Sequence, residues 1–174
     1  MGGNGRIAIA FGKAAMLLIL LSLAWRFVAP GYDQLMAATA TQVSPKGISI
    51  SSSDKSIRVQ YQLPQMAVPA AVEGHGFTLH WGLILVATVV LMTPGMSARR
   101  RLTMLVLAIG LFFAMHILTL VSMAWVIKWA LEGTPLPFEV SYMLPAFSIS
   151  WTLFPALLAG VWCFLYWRPA LLKA

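Results

Sequence analysis

Three histidines, one cysteine and five carboxylates are the side chains here that could do chemistry beyond packing. His116 sits within Phe112-Phe113-Ala114-Met115-His116, in the middle of a long uncharged apolar run. An imidazole at that depth needs a hydrogen-bond partner or a metal. It reads either as a helix-contact histidine bonded to a neighbouring helix or as an axial ligand to haem or bacteriochlorophyll. No second histidine lies at matching depth to complete a pair of axial ligands. His75 and His80 are five residues apart, which is not one helical turn, so headgroup or loop contacts are expected and no metal site. Cys163 lies one turn before Trp167, far along the chain from every histidine. A cysteine nucleophile needs a base within hydrogen-bond reach, so packing or palmitoylation is the expected role. None of the five acids falls inside an apolar run, which argues against proton-coupled transport. HExxH, GxSxG and glycine-rich phosphate loops are absent from the sequence. The chain is expected not to be an enzyme and to need no cofactor, with a pigment or haem at His116 as the alternative.

The elements that must position these residues follow from composition. Of 174 residues, 60% are hydrophobic and 10% charged, with a mean hydropathy of +0.82. Soluble domains carry about 25% charged residues, so lipid must form part of the solvent. Crossing about 30 Å of hydrocarbon takes about 20 apolar residues. Four stretches qualify: 7–29, 77–93, 102–127 and 142–167. The first, in which Arg6 and Lys13 precede the apolar run from Ala14 to Trp25, reads as a signal anchor with Lys13 near enough its end to snorkel. The second ends at Thr93-Pro94-Gly95, a helix terminator. The fourth holds Pro155, expected to kink it. The expected fold is therefore an all-α bundle of four transmembrane helices with a small extracytoplasmic β-hairpin. Its divisions are 1–30, 31–76 and 77–174.

Charge sets the orientation. Arg6, Lys13, Arg99, Arg100, Arg101, Arg168 and Lys173 fall on one side of such a bundle with no acid, while the other side balances five bases with five acids. The whole net charge of +7 thus lies on the face that the positive-inside rule assigns to the cytoplasm. Both termini are expected there, in a bacterial inner membrane, with Arg99, Arg100 and Arg101 among anionic lipid headgroups. The pI near 10.1 needs no nucleic-acid partner. Trp25, Trp81, Trp125 and Trp129 mark the outer interface, and Trp162, Tyr166 and Trp167 the inner one.

Residues 31–76 are too polar to span. Tyr32 to Thr41 reads as a short surface helix with Tyr32, Leu35 and Met36 on one side. Ile48 and Ile50, then Ile57, Val59, Tyr61 and Leu63, alternate with polar residues around a serine-rich turn. That is a β-hairpin with one wet face. It is either a cap over the helices or an edge to which a partner adds a strand through Ile57, Val59 and Tyr61. An extended stretch then leads back to the membrane. The small-residue pairs Ala8/Gly12 and Ala156/Gly160 suit close helix approach. Ala156 and Gly160 are therefore expected at an interface with an integral membrane partner.

Two motifs carry a resemblance. Trp25-Arg26-Phe27-Val28-Ala29-Pro30-Gly31-Tyr32 closes the first span. His80-Trp81-Gly82 opens the second, which ends in Thr93-Pro94-Gly95-Met96-Ser97-Ala98-Arg99-Arg100-Arg101. Together they resemble the small membrane proteins that accompany exosortases in Gram-negative bacteria. The resemblance covers about half the chain. It implies an accessory role beside a membrane-bound protein-sorting transpeptidase, with the outer segment in the periplasm. The transpeptidases themselves use Cys, Arg and His at the outer face. This chain has no outer cysteine, so it does not resemble the enzyme.

Overall fold

A computed structural model describes residues 3–53, 56–61, 70–132 and 153–167. The described chain is mostly helical, with one small antiparallel sheet. In order, the elements are α1 (Gly3–Val43), β1 (Ile48–Ser53), β2 (Ser56–Tyr61), β3 (Ala70–His75), α2 (Gly76–Leu91) and α3 (Ala98–Leu131). Last comes α4 (153–162), whose final turn, Cys163–Trp167, widens into a π-helix.

Two helices are long and apolar enough to cross a membrane, through Ile9–Val43 and Ala98–Leu131. Only 0% and 22% of their most apolar windows is buried inside the protein, so neither is a soluble core helix. Along α1 the half-buried positions Ala10, Ala14, Leu17, Leu21, Trp25 and Ala29 recur every three to four residues. The opposite face is just as apolar: Phe11, Met16, Ile19, Leu23 and Phe27 are exposed, Phe27 by 88%. A helix that is hydrophobic all round belongs in a lipid-like environment. The other two expected spans are represented by shorter apolar helices, His80–Leu91 and Leu153–Trp167, and four crossings do not follow from these lengths. The expected start of the fourth span, with Pro145, lies outside the described residues.

Contacts divide the chain into two units. Unit 1 comprises 1–27, 80–112 and 151–174; unit 2 comprises 28–79 and 113–150.

In unit 2, α1 does not stop at Pro30. Pro30 removes a donor to the Arg26 carbonyl, yet the helix continues to Val43. The expected separate surface helix is thus the last part of α1, and its faces differ from expectation. Asp33, Met36, Ala37 and Ala40 are buried at helical spacing, while Leu35 is exposed by 59%. Thr41 sits on the same strip. Ile48 N–H donates to Pro45 O at 3.3 Å to close the following turn, whose third residue, Gly47, has φ +89°, as a type II turn requires.

The hairpin forms with the expected inward set. Ile48 pairs with Tyr61 and Ile50 with Val59, and these four and Ile57 are all buried. They pack on Met36, Ala37 and Ala40 of α1 and on Leu120 and Ala124 of α3. Ile57, Val59 and Tyr61, expected at a partner interface, are therefore core residues; of the two readings of the hairpin, the cap is the one observed. A third strand extends it to order β1-β2-β3. Val72 pairs with Val59, and Glu73 pairs with Arg58 in an exposed ion pair. A two-stranded ribbon is marginal alone, and β3 supplies the missing neighbour. On the other edge, Thr41 Oγ1 accepts Ile50 N–H at 3.2 Å and lies 3.1 Å from Ile50 O. A helix hydroxyl thus occupies backbone groups that would otherwise template another strand. Leu63 lies outside the described residues.

In unit 1, α2 is buried along most of its length, including Leu83, Ile84, Val86, Val89 and Val90. Its terminator behaves as expected: α2 ends at Leu91, and Gly95 takes φ +70°. Ser97 then caps α3, its Oγ accepting Arg100 N–H at 3.4 Å. At Gly82 the Pro155 ring of α4 packs close to α2. A Cβ there would clash with the Pro155 ring and lie 3.2 Å from Phe112 Cε1. Pro155, expected to kink the fourth span, is a buried residue on this contact.

Candidate functional site

Two polar sites emerge, one in each unit. In unit 2, His116 is brought to α1 because α3 turns His116, Thr119, Leu120 and Ala124 inward along one helical stripe. His116 is 1% exposed, and its Nδ1 lies 2.7 Å from the Tyr32 hydroxyl. Which group donates depends on the histidine tautomer. The rings meet edge-on at 5.7 Å, and Tyr32 packs the same way on Phe113 at 5.6 Å. His116 thus makes a helix contact, its partner on α1 being a phenol. Beside it Met36, Ile57, Val59, Thr119 and Met123 enclose a cavity of about 50 Å³. That holds about one water, whereas organic ligands occupy about 300–1,000 Å³.

The same unit ties β2 to the end of α3. Tyr61 donates its hydroxyl to Glu132 Oε1 at 2.7 Å, and Glu132 also faces Lys128 at 3.9 Å. The bond to Glu132 raises the Tyr61 phenol above its ordinary value of 10.0; burial and the carboxylate charge push the same way. Lys128 lies 5.5 Å over the Trp125 ring, an arrangement suited to cation–π attraction.

In unit 1, one threonine, through its hydroxyl and its carbonyl, gathers three helices. Thr93 is 2% exposed and donates to Val89 O at 2.8 Å. The same oxygen accepts Trp162 Nε1–H at 2.8 Å and Trp167 Nε1–H at 3.3 Å. The Thr93 carbonyl accepts Arg101 Nη2–H at 2.9 Å. Two sequence expectations change here. Trp167 is 3% exposed, so it is no headgroup belt residue. Arg101 is half-buried and holds the α2–α3 turn, so of the three arginines only Arg99 and Arg100 are exposed. His80, expected at headgroups or a loop, is 1% exposed and meets Trp25 edge-on at 5.5 Å.

Ala156 and Gly160 are both exposed, and a Cβ on Gly160 would meet nothing within 4 Å. That small-residue strip is open, whereas the close contact at Gly82 was not singled out from sequence as a packing position. Its signal was glycine inside an otherwise bulky apolar helix. Cys163 is half-buried in a cluster with Val89 and Ala159, consistent with packing. Among the described residues, no group of three His, Cys, Asp or Glu could hold a metal ion. No family model, curated protein or solved structure matches the chain.

Proposed function

We propose that this chain is a non-catalytic accessory subunit of a bacterial inner-membrane complex, and that the complex is of the exosortase protein-sorting type. In this reading four helices cross the membrane, both termini are cytoplasmic, and the three-stranded sheet stands in the periplasm over α1 and α3. The charge asymmetry supports that orientation. The accessory role is carried by one observation: Ala156 and Gly160 form an open small-residue strip on an exposed apolar face, with Leu157 and Val161 beside them. Such strips let a second helix approach closely in lipid. The buried polar groups described, Tyr32 with His116 and Thr93 with two tryptophans, hold the protein's own helices together.

The test is a mild-detergent pull-down of the tagged protein, read by mass spectrometry and by absorption from the ultraviolet to the near infrared. A reproducible integral membrane partner that is lost in Ala156→Leu/Gly160→Leu supports the reading. A transpeptidase partner extends it to the sorting system. A Soret or near-infrared band abolished by His116→Ala would replace it with a cofactor-carrying subunit. A colourless protein without a partner would overturn it.

A further inference from the structure

An apolar groove of about 170 Å³ runs between α2, α3 and α4, within unit 1. Val86 and Val90 form its floor, with Met104, Ala108 and Leu111 on one wall and Leu158 on the other. From Met104 to Leu111 it follows α3 for about 10 Å at 1.5 Å per residue. Leu107 and Leu111 stand on its rim, exposed by 61% and 50%. Its apolar lining and its length along α3 suit a segment of an acyl chain.

The arginine end is adjacent. Arg100 lies one turn before Met104 on α3, and its guanidinium carbon is 6.0 Å from the centre of the Tyr166 ring. Tyr166 stacks at 4.6 Å on Trp162, which itself lines the groove. A cationic group therefore stands at one end of the hydrocarbon-lined slot.

These charges are not balanced within the unit. Residues 1–27, 80–112 and 151–174 contain eight lysines and arginines and no aspartate or glutamate. The side chains of unit 1 supply no carboxylate to Arg99 or Arg100. Both also sit in the first turn of α3, where the helix dipole disfavours positive charge. A phosphate at that position reverses the sign, since it is attracted to the guanidiniums and to the helix N-terminus together.

We propose that this groove binds one chain of an anionic phospholipid whose phosphate is held by Arg99 and Arg100. The site rests on the chain being embedded in a membrane and is independent of any protein partner.

The experiment follows the melting of the full chain in a non-ionic detergent after adding dioleoylphosphatidylglycerol, dioleoylphosphatidylcholine or glycerol phosphate. At a hundredfold excess over Kd, phosphatidylglycerol should raise the midpoint by about 5–10 °C. The neutral lipid and the free phosphate should leave it nearly unchanged. Arg99→Gln/Arg100→Gln should melt like the wild type without lipid and lose the gain with it. Ala108→Phe fills the groove and should lose the gain with both arginines present. If that variant does not fold, Leu111→Asn on the exposed rim replaces it. Equal gains from both lipids would overturn the phosphate contact. A full gain from glycerol phosphate alone, or an undiminished gain in the groove variant, would overturn the acyl site.

Discussion

The two units handle polarity in opposite ways. Unit 2 contains all five acids of the chain, together with the sheet, and closes its polar groups on one another: Tyr32 on His116, Tyr61 on Glu132, Arg58 on Glu73. Unit 1 has no acid, and a single threonine oxygen receives two indole N–H groups while the same residue's carbonyl receives a guanidinium. An unpaired N–H costs several kcal/mol in hydrocarbon, so sharing one acceptor is preferable to leaving any donor bare. A region built this way has no internal anion for its exposed arginines. The difference is that unit 2 carries carboxylates beside its bases and unit 1 carries none.

The comparison breaks or sharpens at particular residues. The largest effect is expected for Ile57→Ala, which empties a side chain 2% exposed in the core of unit 2. Truncations of this kind cost about 2–5 kcal/mol. Hydrogen exchange should rise across β1 to β3 and leave the α2 amides protected. Gly82→Ala comes next, at about 1–3 kcal/mol, because the new methyl meets the Pro155 ring. Here α2 and α4 amides should open while the sheet stays protected. Loosening of both units by either variant would show that they are one cooperative body and remove the comparison.

The smallest effect concerns pH. The folded state raises the Tyr61 phenol, so its contribution is complete below the ordinary value of 10.0 and is lost as pH rises through the elevated one. The melting temperature of the wild type should therefore fall on alkaline titration. Tyr61→Phe should be less stable near neutrality and should lose that part of the alkaline dependence. A wild type and a variant with identical alkaline profiles would remove Tyr61–Glu132 from the closed polar groups of unit 2.

Several features were legible in the chain before its fold. Period-two alternation named the buried positions Ile48, Ile50, Ile57, Val59 and Tyr61, because a strand sends alternate residues to opposite faces whatever it packs against. What covers them is another matter: the same apolar face fits a partner or the chain's own helices, and only Met36, Ala40 and Leu120 in place decide between them. β3 was read simply as extended because Ala70-Ala71-Val72 carries no alternation, and its pairing comes from the register with β2. The continuation of α1 past Pro30 was hidden because a proline signals a helix boundary locally, while burial of Met36, Ala37 and Ala40 offsets its cost.

By itself the sequence determined that the chain has long apolar helices, a sided distribution of charge, a turn at Thr93-Pro94-Gly95 and a strand pair with one buried face. Each is a local property, set by composition, period or a single backbone preference. Only the tertiary structure decided which polar residues are spoken for. Tyr32 and His116 are 84 residues apart, and Thr93 and Trp162 are 69 apart. Trp167 became a buried donor and His80 a core ring because of neighbours far along the chain, and Arg101 a strut on the Thr93 carbonyl eight residues before it. Hydrogen bonding in a low-dielectric interior is decided by which group lies within about 3 Å, and no local pattern encodes that distance.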